Sequence, residues 1–197
     1  MRPYIAFILF ILSLSAKAQI SAEGQKFVAA FFAQERKETK YFYAQGVGST
    51  TINELSKTVN NLPKNTIKSW DRSGGRARLI DSLVLTDDEK YYILTELAAQ
   101  KADSLWKNIT LPGARMVPKQ TILEIFNNKN KGWSYFHDGI GKGFYLFTFP
   151  IFFRNNNYCA FYYGYSCGNL CGDGAFIIYK KVNGKWMAAF KLYEWVS

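Results

Sequence analysis

Ala175-Phe176-Ile177-Ile178-Tyr179-Lys180-Lys181-Val182 and Trp186-Met187-Ala188-Ala189-Phe190-Lys191-Leu192-Tyr193-Glu194-Trp195-Val196 flank Asn183-Gly184-Lys185. Runs rich in Ile, Val, Tyr and Phe on either side of Asn-Gly predict a β-hairpin, because a two-residue type I′ turn requires positive φ at both central positions. In that register Val182 faces Lys185. One face then gathers Ile177 and Tyr179 with Trp186, Ala188, Phe190 and Leu192, and the other carries Lys180 and Lys191. The first is expected to be the core face. A slip of one residue would put Trp186 and Phe190 into water.

Two more turn signals precede this hairpin, at Arg154-Asn155-Asn156-Asn157 and at Cys167–Gly174. They delimit the runs Gly143–Phe153 and Tyr158–Ser166, giving four strands that are expected to form an antiparallel meander. Gly143–Phe153 is apolar on both faces and contains Pro150, which suits an edge, a bulge or a crossing between layers. Residues 133–197 hold 20 of the chain's 34 aromatic residues, so the apolar bulk is concentrated in this meander.

Upstream the texture is helical. Thr86 with Glu89 three positions later forms a capping box, followed by Ile93, Leu94, Leu97 and Ala98 at one-face spacing, which predicts a helix over Thr86–Lys107. Shorter helices are expected at Ala22–Glu35, Ile52–Asn61 and Pro118–Asn127. The alternation in Arg76–Leu85 predicts a strand, whereas Asn60–Gly75 and Thr110–Met116 read as connections rich in Asn, Pro and Gly. Helices first and a four-stranded antiparallel meander last predict a single α+β domain over residues 19–197.

Residues 1–18 have a different character. Arg2, an apolar run from Tyr4 to Leu14, and Ser15-Ala16-Lys17-Ala18 have the layout of an export signal cleaved after Ala18. The run is too short to span a bilayer, which takes about 20 apolar residues. The expected product is an exported protein, periplasmic or secreted, without a transmembrane segment. The chain carries 25 Lys+Arg against 15 Asp+Glu, a net charge of +10 that falls to +8 once Arg2 and Lys17 are removed.

Three cysteines cannot build a disulfide framework, but two of them suit one bridge. Cys159 lies eight residues before Cys167, about 26 Å along an extended strand, whereas disulfide Cα atoms lie within about 7 Å. A tight loop brings Cys167 to Cys171. In an oxidising compartment that pair is the expected bridge, with Cys159 a buried thiol.

Phe149-Pro150-Ile151-Phe152, Tyr158-Cys159-Ala160-Phe161-Tyr162-Tyr163, Cys167-Gly168-Asn169-Leu170-Cys171-Gly172-Asp173-Gly174 and Asn183-Gly184-Lys185-Trp186 together resemble a segment of exported bacterial proteins of unassigned function. The resemblance covers roughly the last 50 residues. It implies a bacterial envelope setting and supplies no catalytic residues. The order of helices followed by a curved meander is also similar to the nuclear-transport-factor-2-like cone fold, a likeness of fold that does not fix function.

Catalytic patterns are sparse. The single histidine excludes metal sites that need two imidazoles. His137-Asp138 lies in a Gly-rich stretch that reads as a loop, with no nucleophile to complete a triad. Asp173 and Asn169 offer too few oxygens for calcium. Glu96, Asp103, Glu124 and Asp138 are available for hydrolysis, but no spacing singles out a pair. No cofactor is expected. Tyr162, Tyr163 and Tyr165 place rings on both faces of one strand, so a solvated face would offer a platform for a sugar.

The segment 64–78 is more informative. Lys64, Lys68, Arg72, Arg76 and Arg78 stand against Asp71 alone, with Trp70 and Ser73-Gly74-Gly75 among them. Arginine forks bind oxyanions bidentately and an indole stacks on a ring. Outside the cytoplasm the corresponding polyanions are lipid head groups, lipopolysaccharide and acidic wall glycans rather than nucleic acid. The leading expectation is therefore a non-enzymatic exported protein that binds an anionic envelope polymer or a protein partner. The alternatives are a small envelope hydrolase using acids in a cleft and an inhibitor or immunity protein.

Overall fold

The computed structural model describes residues 21–34, 40–43, 46–71, 78–100, 111 and 113–197. The expected export signal at 1–18 lies outside them. The architecture is α+β and mostly antiparallel, with five helices among the described residues: α1 (Ala22–Gln34), α2 (Ser49–Asn60), α3 (Asp87–Ala99), α4 (Lys119–Phe126) and α5 (Trp133–Gly139).

The expected meander runs in order at the C-terminus. Its first run is split into β5 (Phe144–Phe147) and β6 (Ile151–Phe153); β7 (Tyr158–Gly168), β8 (Cys171–Val182) and β9 (Lys185–Val196) follow. Both β5 and β6 pair with β7, at Phe144–Phe147 opposite Ser166–Tyr163 and at Ile151–Phe153 opposite Ala160–Tyr158. Pro150 has no N–H to give to a ladder, so the strand breaks around it. Buried side chains satisfy the backbone at the break. The Thr148 hydroxyl accepts from the Tyr162 amide at 2.9 Å. The Gln100 side chain accepts from Phe149 N–H at 2.6 Å and donates to its carbonyl at 3.3 Å.

Val182 faces Lys185, and Asn183 and Gly184 take positive φ (50° and 75°), as the Asn-Gly turn requires. The expected faces hold only near the turn. β9 carries two bulges, since Tyr179 faces Ala188 but Ile178 faces Phe190, and Ile177 faces Lys191 but Phe176 faces Tyr193. Ala189 and Leu192 are the extra residues. Each bulge resets the alternation, so Phe190 lies with Ile178 and Phe176 on the face opposite Trp186 and Tyr179.

Both faces of the sheet are core, which corrects the expectation of a single buried face. On one face α1 places Phe27, Val28 and Phe32 against Cys159, Phe161, Ala175, Ile177 and Tyr179. Phe27 is the hub, with the rings of Phe161, Tyr179 and Trp186 at 5.1, 5.1 and 5.5 Å. On the other face α2 and α3 bury Ile52, Leu55, Val59, Ile93 and Leu97 against Ala160, Tyr162, Phe176, Ile178 and Phe190. Ala98, expected on the buried face of α3, is exposed. The capping box is present, with Glu89 N–H donating to Thr86 Oγ1 at 3.1 Å and Thr86 N–H to Glu89 Oε2 at 2.9 Å. Residues 101–107 of the expected helix lie outside the described residues.

The N-terminal part contributes the strand expected within Arg76–Leu85 and others that helical texture alone does not show. β1 (Lys40–Tyr43) is inserted between β4 (Ala114–Val117) and β5 and runs parallel to both, so the sheet order is β4-β1-β5-β7-β8-β9. β2 (Thr66–Asp71), in a stretch read as a connection, pairs with β3 (Arg78–Val84) as a separate antiparallel ribbon. At the far edge α4 and α5 bury Ile122, Ile125 and Phe136 with Val117 and Phe144.

Candidate functional site

The ribbon β2–β3 carries the basic segment. Its inner face is apolar: Ile67 and Leu83 face each other in the ladder, and both are buried in the main core with Leu85. Its outer face pairs Lys68 with Ser82 and Thr66 with Val84, and Lys68 and Val84 are exposed. Ile80 is a bulged residue, because Ser69 faces Asp81 while Trp70 faces Leu79. An amphipathic ribbon fixed by one face leaves the other, with Lys68, directed away from the core.

The candidate residues are placed as follows. Lys64 and Lys68 are exposed at the start of the ribbon. Trp70 and Arg78 lie in the ladder near its far end, where Arg78 is the register partner of Asp71. Arg72 and Arg76 lie outside the described residues. The fold adds partners that spacing along the chain does not reveal. β2 lies beside the outer edge of β9, and Lys68 and Ser69 line a groove of about 450 Å³ with Lys191 and Glu194. Lys191 pairs with Glu194 at 2.6 Å, and Lys180 with Asp81 at 3.7 Å. These added charges are paired, and segment 64–78 carries five cations against one acid in its sequence.

The second feature is the cysteine hairpin. Cys167 and Cys171 are bridged with Cα atoms 5.1 Å apart, and Cys159 is free and buried. Burial pushes the Cys159 thiol well above its ordinary range. The turn is tighter than expected: Gly168 faces Cys171, leaving Asn169 and Leu170 as a two-residue connection and Cys167 as a bulge. The glycines that follow have a packing reason. A Cβ on Gly174 would lie 2.4 Å from the Trp195 indole nitrogen, and one on Gly172 would lie 3.2 Å from that ring and 2.7 Å from the Tyr165 carbonyl oxygen. The indole therefore lies against a strand stripped of side chains, and its N–H donates to Tyr162 Oη at 3.0 Å.

His137 is on α5 rather than in a loop. Its Nε2 lies 3.0 Å from the Cys167 carbonyl oxygen, and its ring is 5.6 Å from that of Trp133. The histidine thus ties α5 to the disulfide hairpin. Asp173 is a ladder residue opposite Val196. Among the described residues, no group of three His, Cys, Asp or Glu side chains is placed to hold a metal.

Of the acids considered for hydrolysis, Glu96 is on α3, Glu124 on α4 and Asp138 on α5; Asp103 lies outside the described residues. The basic groove holds one carboxylate, Glu194. A larger groove of about 870 Å³ between α1 and the β8–β9 hairpin is lined by aromatic and small apolar side chains and has no acid in its lining. The tyrosine triplet is divided: Tyr162 is buried under Trp195, whereas Tyr163 lines the larger groove. No helix among the described residues is long and apolar enough to cross a membrane. No protein-family model, curated protein or solved structure matches the chain.

Proposed function

We propose that this chain is an exported, non-enzymatic binding protein of the bacterial envelope, and that the β2–β3 ribbon is its contact with an anionic polymer. The supporting observation is the ribbon's division of labour. Ile67 and Leu83 anchor one face in the core, while Lys68 lies on the opposite face, and the sequence adds Lys64, Arg72, Arg76 and Arg78 to segment 64–78, with Asp71 as its only acid. A cationic surface outside the core attracts polyanions, and salt screens that attraction within about 10 Å at 0.1 M. The envelope assignment rests on the export signal and on the resemblance of the last 50 residues.

The test is retention of the chain Gln19–Ser197 on isolated envelope fractions at low and at high salt. A variant with the five cations replaced by Gln runs beside it. Salt-sensitive retention that disappears in the variant supports the reading. Equal retention of both proteins on lipopolysaccharide and wall fragments overturns it.

A further inference from the structure

The larger groove shares Ile177 and Ala188 with the basic groove but differs from it in chemistry. Its floor and walls are aromatic: Phe31 from α1, Tyr163 from β7, Tyr179 from β8 and Trp186 from β9. Phe31 and Tyr163 approach to 5.2 Å between ring centroids. Small residues, Ala30 on the helix and Ala188 on the strand, are exposed and keep the space between these walls open.

Charge is confined to one end. Asn183 and Lys185 belong to the β8–β9 turn, whereas Ile177 and Tyr163 lie at the opposite limit of the lining. From Asn183 to Ile177 the strand extends about 20 Å. Lys185 is exposed and has no ion-pair or hydrogen-bond partner among the described residues. The neighbouring Lys181 is occupied, by Glu23 at 2.7 Å and by the Trp186 ring at 5.1 Å. A long apolar trough with one uncommitted cation at its end matches a molecule with an apolar body and an anionic head.

The geometry points to a binding site for a single-chain fatty carboxylate, with the acyl chain along Phe31, Tyr163, Tyr179 and Trp186 and the carboxylate at Lys185. The volume selects one chain over two. A methylene takes about the space of a water molecule, about 30 Å³, so one long chain uses roughly half of the 870 Å³ and two would exceed it. That volume also falls within the range of about 300–1,000 Å³ typical of small-molecule sites.

The test is displacement of dansyl-undecanoate from the full protein. Palmitate is expected to displace the probe, and laurate to do so on the order of tenfold to a hundredfold more weakly, because fewer methylenes are buried. Lys185→Glu is expected to weaken palmitate roughly fivefold and to leave hexadecanol unchanged. Ala188→Trp, at an exposed position, is expected to abolish probe binding while circular dichroism and thermal unfolding stay as in the parent. The five-cation ribbon variant is expected to bind palmitate as the parent does, which separates this site from the polymer contact. Absence of probe binding overturns the assignment, as does binding that survives Ala188→Trp. It also fails if hexadecanol matches palmitate and Lys185→Glu has no effect. Competition by phosphatidylglycerol vesicles equal to that by palmitate would assign the groove to a membrane surface instead. Dimerisation relieved by Ala188→Trp would assign it to a second copy of the chain.

Discussion

Glu89 is held by Arg154 through both carboxylate oxygens, Nε to Oε1 at 2.6 Å and Nη2 to Oε2 at 2.9 Å, while the same carboxylate closes the capping box of α3. The guanidinium also donates to the Val84 carbonyl at 2.5 Å. Arg154 itself sits at φ 50° in the turn before β7, a conformation that costs a non-glycine residue about 1 kcal/mol or more. One side chain therefore joins the turn, the end of the β2–β3 ribbon and the first turn of α3.

The Arg154 hydrogen bond holds the Glu89 carboxyl below its ordinary range, against the opposing effect of burial. A depressed folded-state pKa contributes stability that is complete above the unfolded value and is lost as pH falls through the folded one. Glu89→Gln, which keeps the cap geometry but removes the charge, is expected to cost about 1–2 kcal/mol at neutral pH. Chemical denaturation of both proteins from pH 7 downward checks this: the gap should close only below the ordinary carboxylate range. A gap that stays constant with pH would contradict the assignment.

Gly174→Ala forces a Cβ into the space of the Trp195 indole and against the Tyr163 carbonyl oxygen, 2.8 Å away. Overpacking of this kind typically costs about 1–3 kcal/mol. Urea unfolding should show that loss, with a red shift in tryptophan emission as Trp195 is displaced. Tyr162→Phe removes only the acceptor of the indole N–H and is expected to cost about 1 kcal/mol, with emission little changed.

The native protein is expected to show no thiol reactive to Ellman's reagent, and one after unfolding without reductant. Cys159 is wholly buried and its thiol is held neutral by burial, so reaction requires opening of the sheet. Reducing the Cys167–Cys171 bridge is expected to cost about 2 kcal/mol, the scale of releasing so short a loop in the unfolded chain. The far-ultraviolet circular dichroism should be retained. Labelling of Cys159 at the unfolded-state rate in native buffer would refute this account.

Phe27→Ala is expected to be the most damaging single change on the α1 face, at about 3–5 kcal/mol. The ring is 2% exposed and touches four other aromatic rings, so its loss leaves a cavity the rigid sheet cannot fill. Thermal unfolding measures the cost. Because α1 forms one wall of the aromatic groove, the variant should also lose dansyl-undecanoate binding.

Features carried by local chemistry were legible in the sequence. Asn183-Gly184 set the hairpin register, Thr86 and Glu89 marked the start of α3, and the four-residue spacing of Cys167 and Cys171 identified the bridge. Features that depend on distant neighbours were not. The bulges at Ala189 and Leu192 arise from fitting β9 to the sheet, and they move Phe190 to the face opposite that expected. The strands Lys40–Tyr43 and Ala114–Val117 are four residues long, and such strands are decided by what they pair with rather than by their own preference. Helix α5 was hidden by the glycines around it, and with it the His137 contact to Cys167. The basic segment was visible as composition. Its separation into an anchored face and an outer face, and its closeness to Lys191, required the ribbon. The aromatic groove gave no local signal, because its walls come from residues as far apart as Phe31 and Trp186.

The position of β1 has a bearing on when the chain folds. Phe42 pairs with Tyr145 on one side and Met116 on the other, so a strand made early during synthesis has no partners until much of the chain has followed. Contacts this distant in sequence slow folding. The main sheet cannot close until the meander exists, and a polypeptide that leaves the ribosome N-terminus first is held open for most of its synthesis. Under the export proposed above, that delay keeps the chain in an extended form that can be threaded through a narrow channel, with folding completed on the far side.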